Sequence, residues 1–203
     1  MKVIITAGPT REYIDSVRFI TNASSGKMGY ACASAAIEAG HEVTLLLGPV
    51  CLAPPIGCTV VHFTTTGELK SSLEKLFDNC DALIMSAAVG DFTVKQPLPR
   101  KISRAAGEVK IALIPTDDIL AEMGRRKKDH QVIVGFSLED ALDEEQARKK
   151  LLEKNCDYLV MNTTSAMGED ESESCIISPK GIVLPPARRS KADLAAEIVC
   201  LLG

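Results

Sequence analysis

The stretch Ile5 to Ala36, ITAGPTREYIDSVRFITNASSGKMGYACASAA, decides the reading of this chain. It leaves an apolar run, Lys2 to Ala7, that reads as a buried β-strand, and it closes in a helix from Lys27 or Met28 to about Ala39. About twenty residues lie between the two. Connections in α/β units usually take ~2–6 residues, and a much longer one inside a compact domain more often carries function than filler. Its last part, Asn22-Ala23-Ser24-Ser25-Gly26-Lys27-Met28-Gly29, combines a capping residue, two hydroxyls, two glycines and a lysine at a helix start. Free N–H groups and the positive end of the helix dipole make such a place a seat for phosphate or carboxylate oxygens. The same residues also read as a serine-capped helix packed on a sheet through Gly29, Ala31, Ala33 and Ala35.

Two better-known phosphate loops do not fit. A P-loop needs a glycine five residues before its Gly-Lys pair and a Ser or Thr after it, and Thr21 and Met28 occupy those positions. The dinucleotide fingerprint needs GxGxxG and an acidic residue closing the second strand, but that strand, Val43 to Leu47, ends apolar and runs into Gly48-Pro49.

Beyond the first helix the pattern repeats: strand Glu42 to Leu47, strand Thr59 to Phe63, helix Gly67 to Phe77, strand Ala82 to Ala88. Nearly continuous apolar strands imply a parallel sheet covered by helices on both faces. The pattern predicts a three-layer, doubly wound, Rossmann-like α/β fold with ligands beyond the C-terminal strand ends. Helix Asp117 or Asp118 to Lys127, strand Gln131 to Phe136, helix Asp143 to Glu153 and strand Tyr158 to Asn162 continue it. A hairpin from Cys175 to Leu184 and a helix Lys191 to Leu202 end it, after an acidic loop, Gly168 to Glu171, read as solvated. Residues 93–115 leave the pattern as a Pro-rich arm with two short strands, Arg100 to Arg104 and Glu108 to Leu113. An exposed hairpin needs its edge covered, so the arm predicts a homodimer. No linker divides the chain, and 1–203 reads as one domain.

With 203 residues and 46% hydrophobic content the chain can bury a substantial core. No stretch approaches the ~20 apolar residues that span a bilayer, and no secretory signal precedes the first strand, so no membrane partner is expected and a cytoplasmic location is. A net charge of −4 and 4% aromatic residues argue against nucleic acid as a partner. Seven cysteines, none in a CxxC pair, indicate neither a disulfide framework nor a zinc site. Asp91, at the end of the Ala82 strand, suits a magnesium ion, a ribose hydroxyl or a base amino group, and equally a turn cap. Phe136 can stack on a base or sit in the core. Lys150 and Lys154, one turn apart, suit polyphosphate or a solvated face.

Together these segments resemble the phosphopantothenoylcysteine synthetase family, the phosphopantothenate-cysteine ligases of coenzyme A biosynthesis. The likeness rests on Ile5 to Glu12, on Val17 to Asn22 followed by Ser24 to Gly29, on Ala87-Ala88-Val89 with Asp91 and Lys101, on Val134-Gly135-Phe136, and on Lys150 with Lys154. Tyr13 and Ser16 stand where the family commonly has prolines, Gly90 where it has alanine, and the basic cluster after Lys101 is thinner. The resemblance implies a two-step ligation in which 4'-phosphopantothenate is activated by a nucleoside triphosphate with magnesium and then joined to cysteine. By similarity Asn22 polarises the acyl carbonyl and Lys101 covers the reacting phosphate, while Arg18 and Ser24, Ser25, Gly26, Lys27 and Gly29 hold anionic substrate. The nucleotide site falls to Met85, Ser86, Ala87, Asp91, Lys101, Asp117, Asp118, Ile119, Leu120, Phe136, Lys150 and Lys154. Asn22 to Gly29 and the lysine pair look like the bacterial, CTP-using type. With Met1 abutting the first strand, the ligase alone, without flavin, is expected. An ATP-using ligase, a non-catalytic nucleotide-binding module and an NAD(P) reductase are the competing readings, the reductase disfavoured by the missing GxGxxG.

Overall fold

The computed structural model describes residues 1–139, 142–163 and 169–203. Five parallel-running apolar segments set up the centre of the sheet: β1 (Lys2–Ala7), β4 (Glu42–Leu47), β5 (Thr59–His62), β6 (Ala82–Met85) and β9 (Val132–Glu139). With β10 (Tyr158–Thr163), β11 (Glu171–Ser178) and β12 (Gly181–Ser190) they form an eight-stranded sheet of order β12-β11-β10-β9-β6-β1-β4-β5. β10, β9, β6, β1, β4 and β5 are mutually parallel, and β11 and β12 return antiparallel at one edge. The chain travels outward from β1 through β4 to β5 and then restarts at β6 on the other side of β1. The switch in direction therefore lies between β1 and β6, the place where a doubly wound sheet opens a crevice for ligand.

Two apolar layers sandwich the sheet. On one face α1 (Lys27–Glu38) and α5 (Lys191–Cys200) bury Cys32, Ala33, Ala36, Leu194, Ala195 and Ile198 against Val3, Ile5, Leu45 and Ile84. On the other, α2 (Thr66–Leu76), α3 (Ile119–Arg126) and α4 (Glu144–Glu153) bury Leu69, Leu73, Met123 and Leu151 against Ile4, Leu46, Leu83 and Ile133. Alternate residues of each strand thus enter opposite cores, as the period of two requires. Small residues on α1 let it lie close to the sheet. Among the described residues no helix is long and apolar enough to cross a membrane.

Three elements differ from the sequence expectation. The long first connection is a hairpin, β2 (Arg11–Tyr13) with β3 (Phe19–Thr21), too short to show a strand periodicity. In the arm, strands at Arg100 to Arg104 and Glu108 to Leu113 do not form. β7 (Phe92–Val94) pairs instead with β8 (Leu113–Pro115), and residues 104–106 make a single 3-10 turn. The Ser103 hydroxyl accepts from Ala105 N–H, and this cap starts the turn inside the expected first strand. The last hairpin is longer than read, and the acidic segment is not merely solvated: Glu171 opens β11 and Asp170 pairs with Lys27 at 2.7 Å. Gly168 lies outside the described residues.

Candidate active site

The crevice between the β1 and β6 ends is a cavity of about 620 Å³ at the C-terminal edge of the sheet. Its floor is cross-tied. The Ser86 hydroxyl donates to the carbonyl of Thr6 at 2.6 Å, and the Thr6 hydroxyl accepts from the Ala87 amide at 3.0 Å. Ala88 N–H donates to Gly8 and Thr10 N–H donates to Ala88, at 3.0 and 3.2 Å. Gly90 N–H donates to the Thr10 hydroxyl at 3.0 Å, and the Thr116 hydroxyl to the Gly90 carbonyl at 2.6 Å. Satisfied main-chain groups hold Met85 to Asp91 as a shelf along which a ligand can lie against small side chains.

Asn22 stands at one end of this shelf. Its Nδ2 donates to the carbonyls of Val89 and Ala88 at 3.1 and 3.4 Å, so β3's exit is pinned to the shelf. Next to it α1 begins. Its cap is Gly26 in the left-handed region at φ 78°, with no side-chain cap, so the serine-capped helix is not what forms. A left-handed cap suits glycine because no Cβ meets the neighbouring carbonyl. Ser24 and Ser25 accept from the Gly26 and Lys27 amides at 3.4 and 3.5 Å, and Ser24 to Gly29 all line the cavity.

The opposite wall comes from α3, β9 and α4. Asp117, Asp118, Ile119 and Leu120 line it, with Phe136, Lys150 and Lys154. Lys150 hydrogen-bonds Glu139, and this holds the Glu139 carboxyl below the usual carboxylate range, helped by the Ser137 hydroxyl. Lys154 lies 3.5 Å from Asp118, whose other oxygen caps α3 by accepting from Ala121 N–H at 3.0 Å. Both lysines are thus charge-paired and fixed, a geometry suited to reading a polar ring edge more than to absorbing several negative charges. Asp117 is turned toward Lys70 at 2.7 Å.

Arg18 and Lys101 do not line the cavity. Arg18 Nη1 binds Asp15 at 2.6 Å and Nη2 donates to the Ile102 carbonyl at 3.2 Å, while Ile102 N–H donates to Asp15 at 3.0 Å. Asp15 also accepts from Val17 and Arg18 N–H, each at 2.8 Å. The arm beside Lys101 is therefore clipped to the first hairpin. These N–H groups, that of Ile102 foremost, lower the Asp15 pKa to about 2. Arg11 is likewise engaged, 4.5 Å over the Phe19 ring.

Among the described residues no group of three or more His, Cys, Asp or Glu is placed to hold a metal. Burial pushes the Cys32 and Cys156 thiols up to about 12 and Cys80 to about 11, so these sulfurs stay protonated and are no nucleophiles. Sequence reasoning missed Glu139, Asn162, Ser172 and Lys191, all at the cavity. The signal for the last was available: Ser190-Lys191 opens the final helix just after a strand.

Fold and site together define an α/β protein with a cavity at the switch point of its sheet, lined on one side by the start of α1. The chain belongs to the DNA/pantothenate metabolism flavoprotein C-terminal domain family, whose model matches residues 1–202. It is 44% identical over 202 residues to the coenzyme A biosynthesis bifunctional protein CoaBC of Bacillus subtilis (strain 168), covering 97% of this chain and 50% of that protein. It is 41% identical over 203 residues to a cysteine/cysteine sulfinic acid decarboxylase of an unknown prokaryotic organism, covering 98% of this chain and 56% of that protein. The chain thus spans about half the length of the curated relatives it matches, and their two different names describe longer proteins. The crystal structure of the C-terminal domain of CoaBC is similar to it at 35% identity and a TM-score of 0.83, covering 99% of this chain and 94% of that one.

Proposed function

We propose that this domain joins 4'-phosphopantothenate to cysteine, using CTP to activate the carboxylate. The observation that carries the reading is the meeting, in one cavity of a chain of this family, of the α1 start, Asn22, Asp91 and the Phe136, Lys150, Lys154 wall. A carboxylate oxygen of phosphopantothenate attacks the α-phosphorus, the bond to the β-phosphate oxygen breaks, and diphosphate leaves. The cysteine amine then attacks the acyl carbon, an amide forms, CMP departs and the amine proton is lost. No electrons change hands, so the proposed reaction needs no flavin.

Each group has a task in this scheme. The base lies against Phe136 with Lys150 and Lys154 at its polar edge. The phosphates reach the N–H groups of Ser24 to Gly29, where the α1 dipole favours negative charge. Asn22 polarises the acyl carbonyl, which requires its Nδ2 to exchange the carbonyls of Ala88 and Val89 for the ligand. The cavity's donor set fits a magnesium ion carried in on the triphosphate rather than one held by protein ligands, with Asp91 as the carboxylate it meets. Magnesium bound there neutralises phosphate charge. Lys101 closes over the reacting phosphate when the arm swings, and a second copy of the chain covers the arm's apolar side.

The test is diphosphate release with 4'-phosphopantothenate, magnesium and CTP or ATP, with and without cysteine. Release that requires phosphopantothenate and favours CTP, with amide formed only when cysteine is added, is the expected result. Equal use of ATP overturns the nucleotide assignment, and no release with either overturns the ligase reading.

A further inference from the structure

Glu12 is a buried carboxylate that the reading above leaves without a task. It is 7% exposed, and Thr10 and Thr66 beside it are buried too. A buried Glu normally sits beside a cation, yet among the described residues Glu12 pairs with no Lys, Arg or His. Its two oxygens accept from neutral donors: Oε1 from the Thr66 N–H at 2.8 Å and Oε2 from the Thr93 hydroxyl at 2.7 Å. Thr66 is the first residue of α2, whose positive end favours a negative charge there.

Capping α2 does not account for this carboxylate. α2 has a complete capping box of its own: the Thr65 hydroxyl accepts from Glu68 N–H at 3.2 Å, and the Glu68 carboxylate accepts from Thr65 N–H at 3.4 Å. A hydroxyl or an amide oxygen would serve the Thr66 N–H as well. The second oxygen of Glu12 reaches a different element, because Thr93 lies in β7, at the arm's root, two residues after Asp91. The chain just before Asp91 is held from the same side. Gly90 N–H donates to the Thr10 hydroxyl at 3.0 Å, and the Thr66 hydroxyl lies 3.4 Å from that of Thr10. A Cβ on Gly90 would stand 3.4 Å from the Thr10 hydroxyl and 4.0 Å from the Glu12 Cγ, so the frame is packed against the backbone it holds. Thr116 closes it, its hydroxyl donating to the Gly90 carbonyl at 2.6 Å and its N–H to the Asp91 carbonyl at 3.0 Å. The chain is thus tied on both sides of Asp91, which lines the cavity.

We infer that Glu12 is a positioning residue: through Thr93 it fixes the arm's root, and with Thr10 it sets the direction from which Asp91 meets the nucleotide. This deepens the ligase reading and rests on it for what Asp91 meets. A carboxylate suits the place because both neighbours donate to it, and an ionised carboxylate accepts at both oxygens. A ligand group on a framed segment is ordered before the ligand arrives, so binding does not have to order it.

The probe is CTP, or ATP if the chain prefers it, titrated calorimetrically with magnesium into the whole chain, with amide exchange at Thr116 followed in parallel. Thr93→Val cuts the link to the arm and leaves Glu12 on Thr66. It is expected to weaken the nucleotide by about 3- to 30-fold, the coupling range for residues of one network, and to quicken exchange at Thr116. Asp91→Asn is expected to weaken it by about 10- to 100-fold, and adding Thr93→Val to Asp91→Asn to weaken it no further, since the frame acts through Asp91. A damaged fold would multiply the two losses instead. Glu12→Ala is expected to weaken the nucleotide at least as much as Thr93→Val. Glu12→Gln keeps an oxygen for Thr66 and offers its NH2 to a rotated Thr93 hydroxyl, and should recover most of that loss. Thr93→Val that binds as wild type does, losses that multiply in the double variant, or a chain that binds neither nucleotide overturns the inference. Coupled binding of this kind in a chain that forms no amide upholds the positioning role and removes the ligase reading alone.

Discussion

Gly29 and Ala7 face each other so closely that a Cβ on Gly29 would sit 2.4 Å from the Ala7 Cβ and 2.8 Å from the Ser86 hydroxyl. The first turn of α1 therefore lies against β1 at the cavity only because a residue without a side chain lets the helix touch the strand. Gly29→Ala must push α1 outward. We expect a loss of about 1–3 kcal/mol in urea denaturation, the range for overpacking a filled core, with loss of nucleotide binding at temperatures where the variant remains folded. Gly67→Ala is the control, because the nearest atom to its added Cβ is 3.9 Å away.

The Asp15 clip predicts how acid acts on the arm. Its folded pKa, about 2, lies below the ~3.9 of an unfolded aspartate, so its contribution is present above that value and is lost as pH falls toward 2. Amide exchange at Ile102 and Leu98, corrected for its intrinsic pH dependence, should quicken over that window before the core strands respond. Asp15→Asn should quicken it already at neutral pH and flatten the acid response. An arm equally protected in the variant would refute the clip.

How much of this was legible in sequence depends on the size of the signal each element carries. The central strands are apolar runs of four residues or more, and α1's small residues announce its close approach, so the doubly wound sheet could be read directly. β2 and β3, three residues each, carry no periodicity, and their pairing is fixed by tertiary contacts such as the buried Glu12, which accepts from Thr66 N–H at 2.8 Å and from the Thr93 hydroxyl at 2.7 Å. The cavity residues near the helix start were visible because glycine and serine cluster there. Ser172 was not, since its place at the cavity depends on β11 returning to the same sheet edge, and Lys191 carried only the signal of a helix start after a strand.

Fixing of Lys150 by Glu139 should appear in nucleotide selection. Lys150→Met removes a charged donor from the base end, and we expect the KM for CTP to rise about 10- to 100-fold, with kcat changed much less. Glu139→Gln leaves the lysine in place and unanchored, so its effect should fall on the preference for CTP over ATP more than on the rate with CTP. Since the Glu139 pKa is lowered by the lysine, the anchor holds above the ordinary carboxylate range and weakens on acidification. A CTP preference that is indifferent to both substitutions would place the base elsewhere.

The arm gives the last prediction. Val109, Ile111, Leu113 and Ile114 are each at least 40% exposed, and Val109 and Ile111, with Leu98, Ile14, Val94 and Ile102, line a groove of about 250 Å³. A contiguous apolar rim of this kind on an excursion from the sheet calls for cover, and a copy of the same arm supplies complementary apolar side chains at once. Sedimentation at micromolar concentration should therefore give twice the chain mass. Ile111→Asp places a charge on each side of a twofold contact and should give the single mass, while its melting temperature, set by a core the arm does not enter, moves by a few degrees at most. Wild-type chain that sediments as a monomer throughout that range would mean that the rim serves another surface.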